Sequence, residues 1–106
     1  MDPAIFAGQV GNFRSPFVSK TATYTATASD EVIFVDATAG AVTINLPTAV
    51  GISGKAYYIK KTDASINAVT VDASGTETID GALTMTTITR FVSWTLVSDG
   101  ANWGIL

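Results

Sequence analysis

A chain of 106 residues, 47% of them hydrophobic and 14% charged, has room for one domain with a modest core. It contains no cysteine and no histidine, which excludes disulfides, zinc sites built on thiolate or imidazole, and every Ser-His or Cys-His nucleophile pair. A net charge of −3 gives no electrostatic reason to bind nucleic acid or an anionic membrane surface, and no apolar run approaches the roughly 18 residues of a membrane span.

Residues 1–20 have a texture of their own. Pro3, Gly8, Gly11 and Pro16 interrupt every period, and the acidic start at Asp2 does not read as a signal peptide. Phe6, Phe13 and Phe17 are too irregularly spaced for a helix face. Together with Ile5 they are costly to leave in water. The expectation is an extended N-terminal arm, residues 1–20, in which Ile5, Phe6, Phe13 and Phe17 dock on a neighbour. The plainer alternative is a ragged terminus.

From Thr21 the chain is rich in threonine and valine and punctuated by glycine, which marks residues 21–106 as the domain. Thr21 to Thr27 alternates hydroxyl or aromatic with small residues, the period of a strand. Val32-Ile33-Phe34-Val35 is a short apolar run that suits a strand buried on both faces. Ala41 to Leu46 alternates cleanly with Val42, Ile44 and Leu46 facing in, and Pro47 stops it. Lys55 to Thr62 sets Tyr57 and Ile59 on one face and Tyr58 and Lys60 on the other, and Ala68 to Asp72 alternates again. Phe91 to Ser98 is the longest strand signal, with Val92, Trp94 and Leu96 in phase, and Asn102 to Leu106 closes the chain.

Between these segments lie turn signals at Ala39-Gly40, Ser74-Gly75, Asp80-Gly81 and Asp99-Gly100. Their close spacing predicts an all-β fold, a small antiparallel β-sandwich or barrel of jelly-roll-like type, with no long helix. Its expected core is Val42, Ile44, Val69, Val71, Val92, Trp94 and Leu96. Asp36 to Asn45 echoes Asp63 to Asp72 type for type, as two hairpins obeying the same rules or as equivalent hairpins in two packed sheets. Two such units are too few for a solenoid.

The nine acidic residues are the remaining candidates for acid–base chemistry. Asp30, Asp36, Asp63, Asp80 and Asp99 fall at strand ends or turns, where aspartate caps its own backbone. Glu77 and Asp80 lie close enough to bracket a loop, but turn chemistry explains them better than a catalytic pair. No phosphate loop, EF-hand spacing or nucleophile elbow appears, so neither catalytic residues nor a cofactor or metal site is assigned, and a non-enzymatic role is expected. Tyr24, Tyr58 and Trp103 are candidates for a subunit interface, because so low a charge content suggests that part of the surface is covered by protein, with the core as the alternative place for Trp103. Lysines at strand edges discourage aggregation.

Several of these segments resemble a β module common in virion proteins of tailed bacteriophages. They are Tyr24 to Asp36, Ala41 to Pro47, Gly54-Lys55, Tyr58 to Lys61, Val69 to Asp72, Gly75 to Gly81 and Val97 to Trp103. The resemblance covers about residues 21–104. It implies a structural role in tail fibres, head fibres or capsid decoration, usually as a trimer, and it carries no catalytic residues. A short arm plus one module suits a capsid-decorating (cement) protein on the outer surface of the virion, a homotrimer bound to the major capsid protein or another virion protein. The rivals are a fibre module that recognises a host receptor or glycan, and a bacterial carbohydrate-binding module.

Overall fold

A computed structural model describes residues 14–106. Within them the chain is all β. Nine strands run in chain order: β1 (Phe17–Lys20), β2 (Tyr24–Thr25), β3 (Val32–Val35), β4 (Val42–Asn45), β5 (Ala56–Lys61), β6 (Val69–Asp72), β7 (Thr84–Thr87), β8 (Ser93–Ser98) and β9 (Trp103–Ile105). They form a five-stranded sheet in the order β1-β3-β5-β8-β9 and a four-stranded sheet in the order β2-β4-β6-β7. Among the described residues neither sheet closes on itself, so the barrel among the expectations is not formed.

The sheets are mixed, which corrects the antiparallel expectation. β1, β3 and β5 run parallel, as do β2, β4 and β6. Antiparallel pairing is confined to β5 with β8, β6 with β7, and β8 with β9. Through β6 the chain alternates between sheets, and each return places a strand parallel to and beside the one before it. The turns therefore carry the chain across to the other sheet instead of folding it back on the strand just made. The repeated sequence lies at the heart of this winding. Val42 pairs with Val69, Thr43 with Thr70, Ile44 with Val71 and Asn45 with Asp72. The echo is thus neither two hairpins nor a match between sheets but two successive turns of one coil, stacked in register.

The aspartates at the head of each repeat hold the corners. Asp36 accepts hydrogen bonds from the Thr38 backbone N–H at 2.9 Å and the Thr38 hydroxyl at 2.6 Å. Asp63 accepts from the N–H and hydroxyl of Ser65, and its second oxygen reaches the preceding turn at the Ala37 N–H, 2.8 Å away. Asn67 completes the corner by donating its amide to the Ala37 carbonyl at 2.8 Å. Buried corner amides therefore have partners without a hairpin to supply them.

Period-2 alternation puts Ile33, Val35, Tyr57, Ile59 and Leu96 of the larger sheet and Val42, Ile44, Val69 and Val71 of the smaller into one buried cluster. Each such side chain contributes on the order of 1.5–3 kcal/mol by leaving water. Of the expected core, Val42, Ile44, Val69, Val71 and Leu96 are fully buried, while Val92 and Trp94 are half-buried. The run Val32 to Val35 is not buried on both faces, since Phe34 points outward. The end of the expected arm is part of the sheet: Phe17–Lys20 is β1, in register with Val32–Val35.

Candidate interaction surface

The outer face of the five-stranded sheet is aromatic. Because Ile33, Val35, Tyr57 and Ile59 point inward, their neighbours Phe34, Tyr58 and Lys60 must point outward. The register sets Phe17 beside Val32, Val32 beside Tyr58, and Phe34 beside Lys60. Phe17 and Phe34 meet edge to face, with centroids 5.0 Å apart and planes at 87°. They remain 55% and 37% exposed, and Tyr58 is 41% exposed. A groove of about 220 Å³ runs beside them, lined by Phe34, Tyr58, Lys60, Ser93 and Thr95.

Phe91 extends this surface at an unusual cost. Its φ of 69° lies in the left-handed region, which a bulky side chain rarely occupies. Backbone bonds hold it there: its N–H donates to the Lys61 carbonyl at 2.8 Å, and the Lys61 N–H donates to the Val92 carbonyl at 3.1 Å. The ring is 56% exposed and has two cations over it, with Lys60 Nζ 5.3 Å and the Arg90 guanidinium carbon 4.5 Å from its centroid.

The outer face of the other sheet is a different surface. There Thr43, Thr70 and Thr86 stand in register, with the Thr70 and Thr86 hydroxyls bonded at 2.9 Å. Thr25, Asn45, Asp72 and Thr84 form a second polar row. Apolar rings are therefore placed on one of the two outer faces and kept off the other.

Of the residues singled out from the sequence, the structure brings Phe17 and Tyr58 to the aromatic face. Tyr24 lies on the other sheet, half-buried, with Lys20 Nζ 4.0 Å from its ring centroid. Its hydroxyl donates to Asp30 at 2.5 Å, and that bond to a carboxylate raises the phenol's pKa above its ordinary value. Trp103 is in the core of its own chain, 2% exposed and packed on Tyr57 at 5.6 Å, so its ring offers no surface to a neighbour. Among the described residues its indole N–H has no hydrogen-bond partner. Ile5, Phe6 and Phe13 lie outside the described residues. Phe34, Phe91 and Arg90 were not singled out. The signal for Phe34 is its alternation with Ile33 and Val35, whereas in the sequence Phe91 marks only the start of a strand.

The acidic residues weighed from the sequence at strand ends and turns serve the backbone. Glu77 accepts from the Ala49 N–H at 2.8 Å and the Thr48 hydroxyl, while Asp80 accepts from the Ile105 N–H at 3.1 Å, so the two reach in different directions. Asp99 accepts from the N–H groups of Asn102 and Ala101, and these bonds lower its pKa. Asp80 and Asp99 line an open cleft of about 480 Å³ at the β8–β9 end. Both are occupied with backbone amides there.

No protein-family model matches the chain, and no curated protein sequence is detectably similar to it.

Proposed function

We propose that this chain is a structural module of a tailed-phage virion that works by association. In this reading the two sheets pack as a small sandwich, and three copies join as a homotrimer that decorates the outer surface of the capsid and adds buried area against internal pressure. The observation that carries the proposal is the aromatic outer face of one sheet. Phe17, Phe34, Tyr58 and Phe91 leave four aromatic rings partly exposed there, and clustered exposed rings of this kind mark interaction sites. The resemblance to phage β modules supports the location, and the use of aspartates as backbone caps supports a role without catalysis.

Two measurements test it. Light scattering on the purified protein is expected to give three times the 11.0 kDa chain mass. Immunogold imaging of virions that carry the protein is expected to label the head surface, and label at the tail tip would overturn the capsid assignment. The groove beside Tyr58, Lys60, Ser93 and Thr95 favours a second reading, a fibre module whose aromatic wall stacks a receptor sugar. That reading requires saturable binding of host-surface glycan, lost on Tyr58→Ala.

A further inference from the structure

The aromatic face is one half of a contact, and the sequence contains a matching half. Residues 1–13 carry Ile5, Phe6, Val10 and Phe13, with a single charged side chain at Asp2. We infer that this N-terminal segment of one copy lies across the aromatic face of the next copy, so that each protomer gives an arm and receives one. The inference rests on the associating role proposed above and names the parts that associate.

Three observations support it. The first is reach. Thirteen residues in extended form span on the order of 40 Å. Five strands spaced about 4.8 Å apart occupy about 20 Å, so the segment is long enough to cross the sheet of a neighbour. The second is direction. The chain enters β1 from Ser15-Pro16, with the Pro16 carbonyl bonded to the Val32 N–H at 2.9 Å and the Ser15 hydroxyl bonded to Glu31 at 3.2 Å. Proline fixes its own φ and holds the residue before it extended. Traced backwards from Phe17, the chain is thus held straight as it leaves the end of its own sheet. Phe17 and Tyr58 lie at that near end, whereas Phe34, Lys60 and Phe91 lie toward the opposite end of the strands, so covering the whole of its own face would require the chain to reverse. A neighbouring copy's face needs no reversal. The third is chemistry. The face offers rings together with the cations Lys60 and Arg90, whereas the segment offers apolar side chains and one carboxylate.

Giving and receiving use different surfaces, so the contact is head-to-tail. Head-to-tail contacts close into rings when the rotation allows, and a ring of three meets the expected mass.

Mixing two variants tests this. One lacks residues 1–13 and keeps the face; the other keeps the arm and carries Phe34→Ser with Tyr58→Ser. Each alone is expected to sediment at the monomer mass, one third of the parent. Mixed at high concentration they are expected to form a pair of twice the monomer mass, since one intact arm meets one intact face. Circular dichroism checks that both fold, and Phe91→Ser replaces the double variant if that one does not. A parent trimer that survives loss of residues 1–13 overturns the exchange and leaves the trimer standing. A monomeric parent overturns both, as would be seen if the segment covered its own face. Failure of the mixture to pair, with both variants folded and the parent trimeric, also overturns the exchange.

Discussion

Lys61 Nζ lies 2.8 Å from Asp63 Oδ2, with the two side chains 0% and 3% exposed. The Asp63 carboxylate also accepts from Ala37 and Ser65, so the pair ties the end of β5 to the corner of the preceding turn. Breaking a buried pair leaves one charge without a partner, which typically costs about 3–5 kcal/mol. Lys61→Met and Asp63→Asn are each expected to fall in that range by urea unfolding. The double variant is expected to cost less than the two singles added together, because it leaves no orphan charge. Strict additivity would show that the two residues do not depend on each other.

Acid should weaken the domain through the same corner. Burial pushes the Asp63 carboxyl up, but the Lys61 ammonium, the Ser65 hydroxyl and the N–H groups of Ala37 and Ser65 outweigh it and hold it well below the ordinary carboxylate range. A folded-state pKa below the unfolded value gives stability that is present above the unfolded pKa and lost as pH falls toward the folded one. Asp36, bonded to Thr38, and Asp99, bonded to Asn102, are shifted the same way. The melting temperature is therefore expected to be flat near neutrality and to drop steadily below about pH 4, the ordinary carboxylate range. Asp63→Asn should shallow the drop, and an unchanged slope would remove Asp63 from the account.

The two tryptophans should behave differently. Trp103 is buried against Tyr57, so Trp103→Ala is expected to cost about 3–5 kcal/mol. Trp94 is half-buried at the margin of the core, and Trp94→Ala should cost clearly less. Thermal melts of the two variants decide the order.

Phe91→Gly separates stability from association. Glycine accepts the left-handed backbone that phenylalanine occupies under strain, a relief of about 1–2 kcal/mol partly offset by the entropy of glycine. The isolated domain should be at least as stable as the parent while its self-association weakens. A large loss of stability would mean that the ring supports the fold rather than the surface.

The strands were legible because burial imposes a period: Val42, Ile44, Val69 and Val71 announce their inner face two residues at a time. The same period holds for parallel and antiparallel strands, so alternation alone could not reveal the partner of each strand. The evidence for parallel stacking was present in the repeat Asp36 to Asn45 and Asp63 to Asp72. Two hairpins would also have explained it, and only the register of Val42 with Val69 distinguishes the cases. The surface was half legible. Tyr58 is out of phase with Tyr57 and Ile59, and so was readable as exposed. Trp103 could not be placed, because a three-residue strand is too short to show a phase and its burial depends on Tyr57 across the core.

The position of β8 has a consequence for biosynthesis. It is the strand that covers the open side of β5, yet it follows β6 and β7 in the chain. A nascent chain halted before Ser93 would present Ala56–Lys61 as a bare edge able to template another strand. The larger sheet can be completed only after Ser93–Ser98 and Trp103–Ile105 have been made. The native strand pairings from β1 to β6 each span a full turn of the coil, and the first hairpin of consecutive strands comes only with β6 and β7. Completion of the larger sheet is thereby deferred until β8 is made, and a product truncated before Ser93 is exposed to aggregation rather than left as a smaller stable domain.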